Sequence, residues 1–207
     1  MTTDAERRRH WDTVYATKAP DAVSWFEETP RISLDLIAAT GLAKDAALLD
    51  VGGGVSRLAD HLVAAGYTDL TVLDLSAEAI ARLLARLGPA APVRGVVADV
   101  TRWRPERLYD LWHDRAVLHF LVEEAGRAAY LETLRAALRP GGHLIVATFA
   151  PSGPERCSGL PVRRYGAADL DAFLGDGFRR QDAFETDHRT PSGGVQRFQV
   201  ARYRRAG

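Results

Sequence analysis

The side chains of this 207-residue chain that are suited to chemistry stand at the ends of short apolar runs. Asp50 lies in AALLDV (residues 46–51), two positions before Gly52, Gly53 and Gly54. A glycine-rich turn lets a ligand approach the backbone and meet the unpaired N–H groups that open the next helix. A carboxylate at that turn repels a pyrophosphate but favours a ligand carrying an ammonium and a sulfonium. A dinucleotide fingerprint also wants glycine three positions after Gly54, where Arg57 stands, and the chain has no Gly-Lys-Ser/Thr of a phosphate-binding loop there. Asp74 ends LTVL (residues 70–73), where a carboxylate accepts bonds from both hydroxyls of a ribose. Asp99 closes the run at residues 93–97, placed to accept a bond from the amino group of an adenine lying beside Leu75 and Val100. Any one of these aspartates is also an ordinary turn residue. At three successive strand ends they describe one nucleoside pocket.

The fourth run, YDLWH (residues 109–113), leads into Asp114, Arg115 and His119. A neutral His119 imidazole suits proton removal from an oxygen or sulfur acceptor near pH 7, and equally suits a cap or a packed ring on the pocket floor. Arg115 suits a bidentate clamp on an anionic acceptor, or an ion pair with Asp114. His113 lies inside the strand and alternates in direction with Trp112 and Asp114, so it faces the helix layer or the pocket's edge. Upstream of the first run, Trp11, Tyr15, Trp25 and Phe26 offer ring faces that suit a sulfonium or methylammonium, or that dock their helices on the sheet. Cys157 lies in the turn-rich stretch at residues 151–165 without an activating partner, which favours an inert thiol. The histidines and the single cysteine lack His-x-x-x-His or Cys-x-x-Cys spacing, so no metal site is expected.

These groups need a scaffold that brings strand ends together. Ser56 and Ser76 are placed to cap helices, the first with Leu58, Leu62 and Val63 on one face, the second with Ile80, Leu83, Leu84 and Leu87. A third helix follows at residues 127–138, then Pro140, Gly141 and Gly142 turn into a fifth strand, HLIVATF (residues 143–149). Strands alternating with helices mean right-handed crossovers and a mostly parallel sheet covered on both faces, a doubly wound α/β fold. After a helix at residues 167–174, extended segments at 178–188 and 195–204 predict a terminal antiparallel hairpin. The expected organisation is one domain: a helical lid at residues 1–44, a ligand-binding core at 45–150, and an acceptor-side loop, helix and hairpin at 151–207.

With these elements the sequence resembles the class I S-adenosylmethionine-dependent methyltransferases, through LLDVGGGVS (residues 48–56), TVLDLS (71–76), VADV (97–100), YDLWHDRAVLHF (109–120) and LRPGGHLIVATF (138–149). In that family the first motif ends in a third glycine, and Ser56 stands there. The resemblance implies a Rossmann-like seven-stranded sheet with one antiparallel strand. It also implies that Gly52 and Gly54, with Gly53 and Asp50 beside them, line the methionine portion, that Asp74 holds the ribose, that Asp99 and Val100 meet the adenine, and that the backbone near Asp114 holds the amino group. At the amino end, Trp11, Asp12, Tyr15 and the run Ser24, Trp25, Phe26 are similar to part of the eukaryotic elongation-factor lysine methyltransferases.

The 27 basic and 27 acidic side chains cancel, which argues against a polynucleotide or an anionic membrane surface as partner. No apolar run approaches the roughly 20 residues that cross a bilayer, no signal segment follows the charged start, and a lone cysteine forms no internal disulfide, so a cytoplasmic protein is expected. The expected reaction is an in-line displacement from S-adenosylmethionine to a small-molecule acceptor, leaving S-adenosylhomocysteine, with His119 and Arg115 as catalytic candidates. A protein lysine methyltransferase, a nicotinamide oxidoreductase and a silent nucleoside-binding protein are the alternatives.

Overall fold

The computed structural model describes residues 4–207; the first three residues of the expected lid lie outside it. In chain order the strands are β1 (Leu48–Val51), β2 (Leu70–Asp74), β3 (Val93–Val97), β4 (Tyr109–Arg115), β5 (Leu138–Phe149), β6 (Arg156–Cys157), β7 (Leu160–Pro161), β8 (Phe178–Arg189) and β9 (Val195–Arg205). The central sheet has the order β3-β2-β1-β4-β5-β9-β8, with the first five parallel and β9 antiparallel to both of its neighbours. The helices are α1 (Asp4–Thr17), α2 (Arg31–Ala38), α3 (Leu58–Ala64), α4 (Ala77–Leu87), α5 (Glu124–Ala137) and α6 (Ala167–Leu174).

Successive residues of a strand face opposite sides, so each central strand feeds two cores. Leu49, Trp112 and Leu144 pack on one side with Tyr130 and Leu134 of α5 and Leu170 of α6. Leu48, Leu111 and Ile145 pack on the other with Leu36 of α2 and Leu58 and Leu62 of α3. Trp112 is wholly buried, and its indole N–H donates to the Tyr130 hydroxyl at 3.0 Å, so a large polar ring enters the core without an unmet donor. Ser76 caps α4 by accepting from the Ala79 N–H at 3.2 Å, and Ala79, Ile80 and Leu83 form the helix's buried face.

Two local readings change. The stretch at Pro140, Gly141 and Gly142 is not a turn before the fifth strand but part of it, because β5 starts at Leu138, paired with Tyr109. A register shift between Tyr109 and Leu111 absorbs the extra residues, as a bulge does. Ser56 does not occupy the cap position of α3; Arg57 does, without a side-chain cap, although the Ser56 hydroxyl still accepts from the Leu58 N–H at 3.1 Å. Within the stretch at 151–165 the chain forms a small hairpin of β6 and β7. No helix among the described residues is long and apolar enough to cross a membrane.

Candidate active site

The parallel strands end together on one edge, and above them lies a cavity of about 840 Å³, measured out to its open mouth. Its floor begins at the turn from β1 to α3. Gly52 has φ +66° and Gly54 φ +49°, a region that L side chains rarely adopt. A Cβ on Gly52 would stand 2.0 Å from a methyl of Val117, and one on Gly54 would stand 2.5 Å from the Tyr15 hydroxyl. The turn is therefore glycine because the chain after β4 and helix α1 press against it.

Asp50 does not line this cavity. Its Oδ1 lies 2.7 Å from Nδ1 of His113, whose Nε2 lies 2.8 Å from the Ser33 hydroxyl on α2. Asp50, Gly52 and Gly53 line a neighbouring cavity of about 510 Å³ on the α2 side, and the two cavities share Gly52, Trp25 and Arg115. His113 thus orients Asp50 from behind, and of the two directions its place in the strand allows, the helix layer or the pocket's edge, it faces Ser33 of α2 and the edge of the smaller cavity.

Asp74 ends β2 on the cavity wall. It accepts from the Ser76 N–H at 2.8 Å, yet burial, assisted by the Asp50 charge, pushes its carboxyl up to about 7. Such a group gains when a ligand's hydroxyls donate to its ionised form. Asp99 also lines the cavity. Its Oδ1 accepts from the Thr101 N–H at 2.9 Å and the Thr101 hydroxyl at 2.7 Å, and its Oδ2 meets Arg7 of α1 at 2.7 Å. Leu75 and Val100 complete an apolar wall beside these two carboxyls.

Helix α1 closes the cavity from above. Besides the Arg7–Asp99 pair, Asp12 accepts from the Ser76 hydroxyl at 2.5 Å, which ties α1 to the start of α4. Trp11 and Tyr15 then face the cavity, where Trp25 and Phe120 join them. The Trp11 ring lies 5.8 Å from Trp25 and 5.1 Å from Phe120, both edge to face. Phe26 lines only the smaller cavity. Arg115 reaches the aromatic end, donating to the Trp25 carbonyl at 2.9 Å and pairing with Glu27 at 3.2 Å. Glu27 also meets Nδ1 of His188 of β8 at 3.3 Å, so this contact fastens the 23–29 segment to the terminal hairpin. Cys157 of β6 lines the same end as a buried thiol that burial pushes up to about 11.

Three of the residues singled out in the sequence have other surroundings. His119 does not reach the cavity: its ring is wholly buried between Phe120 and Phe149, neither ring nitrogen has a hydrogen-bond partner, and burial pulls its pKa down to about 3. The Asp114 side chain is equally buried. It accepts from the Tyr130 hydroxyl at 2.6 Å and from the N–H groups of Val117 at 2.9 Å and Leu118 at 3.1 Å, and so shapes the turn whose residues 115–117 line the cavity. Arg115 pairs with Glu27 and not with Asp114, because Asp114 faces α5. Arg7, Phe120 and Ala116 line the cavity without having been singled out. Ala116 has φ +71°, a strained conformation for a non-glycine residue that no sequence pattern signals.

Comparison with known proteins agrees with this fold. A family model described as a methyltransferase domain matches residues 49–144. Nodulation protein S of Rhizobium tropici is 32% identical over 105 residues, 51% of this chain and 42% of that protein. The chain thus spans less than half the length of the curated relatives it matches. Among solved structures, the 1,6-didemethyltoxoflavin-N1-methyltransferase of Burkholderia thailandensis, bound to 1,6-didemethyltoxoflavin and S-adenosylhomocysteine, has a TM-score of 0.70 at 25% identity, covering 98% of this chain and 85% of that one. A structure described with the conversion of a disulfide bond into a thioacetal group during echinomycin biosynthesis has a TM-score of 0.76 at 23% identity, covering 96% and 93%, and is alike in fold.

Proposed function

We propose that this chain is a class I S-adenosylmethionine-dependent methyltransferase, on the strength of its fold and its matched core, and that it transfers a methyl group to a small-molecule acceptor. The cofactor is S-adenosylmethionine, which supplies a methyl carbon made electrophilic by its sulfonium. The residues present suit that group. In this reading Asp74 takes the ribose hydroxyls and Asp99 the adenine amino group, with Leu75 and Val100 against the ring; that all four line one cavity supports it. Gly52 lets the methionine portion run along the backbone, and Asp50, held by His113, supplies negative charge on the side of the ammonium. The rings of Trp11 and Tyr15 suit a sulfonium.

One observation carries this reading: an acidic side chain at the end of β2 and another after β3 open into the same cavity as the glycine turn of β1. The protein's task in an in-line displacement is alignment and exclusion of water, and a cavity closed by α1 serves both. Enclosure also favours a small acceptor. The test is calorimetric titration of S-adenosylhomocysteine into the wild type and Asp74→Ala. Loss of the charge-assisted contact predicts a penalty of about 1.5–3 kcal/mol. No binding to the wild type would overturn the cofactor assignment, and transfer to a protein lysine with none to small acceptors would overturn the acceptor assignment.

A further inference from the structure

We propose that the aromatic end of the cavity selects a planar aromatic acceptor whose attacking atom, a ring nitrogen or a thiolate, is already nucleophilic in neutral solution. This rests on the cofactor reading above and adds the class of acceptor. Trp11, Tyr15, Trp25 and Phe120 wall this end, and their mutual contacts, a tilted Trp11–Tyr15 pair and edge-to-face meetings of Trp25 with both and of Phe120 with Trp11, hold the rings as a rigid frame. Such a frame stacks on a flat ring and offers few partners to a hydroxylated aliphatic chain. The charged group at this end is Arg115, while the acidic groups on the cavity wall, Asp74 and Asp99, stand at the strand ends assigned to the nucleoside. Arg115 faces the cavity with Glu27 behind it, so an alkylammonium entering here meets a guanidinium and no carboxylate on the lining of this end, whereas a neutral ring or an anionic sulfur is not repelled.

The second half of the inference comes from the proton. Transfer forms a bond from the acceptor's lone pair to the methyl carbon and breaks the carbon–sulfur bond, whose electron pair returns to sulfur to leave a neutral thioether. An alcohol or an alkylammonium must also lose a proton to a base, and the groups at this end do not supply one. His119 lies behind Phe120 and does not line the cavity. Burial raises the Tyr15 hydroxyl far above its usual range, and it raises the Cys157 thiol as well, so neither takes a proton as its anion near neutrality. Arg115 has no lone pair to offer. A pyridine-type nitrogen has no proton to lose, and a thiol ionises near enough to neutrality to release its own to water.

The test uses the complete chain with S-adenosylhomocysteine bound, and reads binding by calorimetry as well as turnover. Quinoline and thiophenol are the aromatic nitrogen and sulfur probes; cyclohexylamine and benzyl alcohol are the controls. Quinoline is expected to bind the complex and, with S-adenosylmethionine, to yield N-methylquinolinium, and thiophenol its methyl thioether. Trp25→Ala and Phe120→Ala should each weaken quinoline binding about tenfold while leaving S-adenosylhomocysteine binding within about threefold. Methylation of cyclohexylamine or benzyl alcohol as fast as quinoline would overturn the inference. So would quinoline binding that neither variant changes, or no quinoline binding to a complex that does hold S-adenosylhomocysteine. Failure of S-adenosylhomocysteine to bind at all would instead remove the cofactor reading on which this one stands.

Discussion

At the nucleoside end of the cavity the polar groups hang on the carboxyl ends of neighbouring parallel strands, whereas at the aromatic end the walls come from α1, the 23–29 segment, the turn after β4 and the β6–β7 hairpin. The first end is set by sheet register. Asp74 pairs with Val97 in the β2–β3 ladder, so its carboxylate does not move without the core beneath it. The second end is assembled from side chains on separate segments, held by the Arg115–Glu27–His188 cluster and by Asp12 on Ser76. A sheet edge supplies fixed electrostatics, and the covering segments supply shape. Cofactor affinity should therefore answer to strand-end substitutions, and acceptor choice to the covering segments.

The largest effect that tests this division is at Asp74. Asp74→Ala should weaken S-adenosylhomocysteine binding about 10- to 100-fold by calorimetry, the loss of a charge-assisted bond. A change under threefold would mean that the strand end does not govern affinity. Next is pH. The Asp74 carboxyl sits at about 7 in the free protein, and the ribose bonds need it ionised, so affinity rises as pH climbs through 7 and then levels. Between pH 8 and pH 6 the wild type should lose about tenfold in affinity, and Asp74→Ala should lose this dependence. The same raised carboxyl favours the free fold below about pH 4 and costs it stability as pH rises through 7, so ligand-induced stabilisation should be larger at pH 8 than at pH 6.

A smaller effect is expected where the two ends meet. Asp12→Ala removes the bond to Ser76 that seats α1, and should weaken S-adenosylhomocysteine about fivefold, near 1 kcal/mol, with faster proteolysis within α1 and an unchanged core melting temperature. The smallest effect on transfer is at His119. His119→Leu should leave the rate of methyl transfer unaltered, and a loss above tenfold would return that imidazole to the chemistry. Its signature is in stability. The buried imidazole is held down at about 3, below its unfolded value, so its contribution is present above about pH 6.5 and lost as pH falls towards 3. Denaturant unfolding at pH 7 and pH 5 should show the wild type losing about 2 kcal/mol more than the variant.

How much of this was legible in the chain depends on the range of the interactions. The strand at residues 93–97 and the helix at 167–174 stand in the structure with the bounds that their apolar patterns predict, and Ser76 caps α4 as its place before an apolar stripe predicts. Those patterns are local and periodic. Pro140, Gly141 and Gly142 read as a turn because turn residues are judged by their neighbours, yet β5 extends through them to meet Tyr109, a partner 29 positions away in the sequence. His119 read as a base because its type and place suited one. Its removal from the cavity depends on Phe149, which arrives from β5, and on Phe120 turning its own ring towards Trp11.

The sequence by itself determined the doubly wound sheet, the glycine turn and the carboxylates at successive strand ends, because apolar period and turn chemistry act over a few residues and the βαβ crossover has one hand. Tertiary structure alone decided that Asp50 is engaged by His113, itself held by Ser33, that Asp114 is buried under Tyr130, and that Trp11, Tyr15, Trp25 and Phe120 meet around one cavity. Side-chain direction and burial are set by what packs from elsewhere in the chain, and for an ionisable or aromatic group that packing separates a residue at the reacting atoms from one that holds the core.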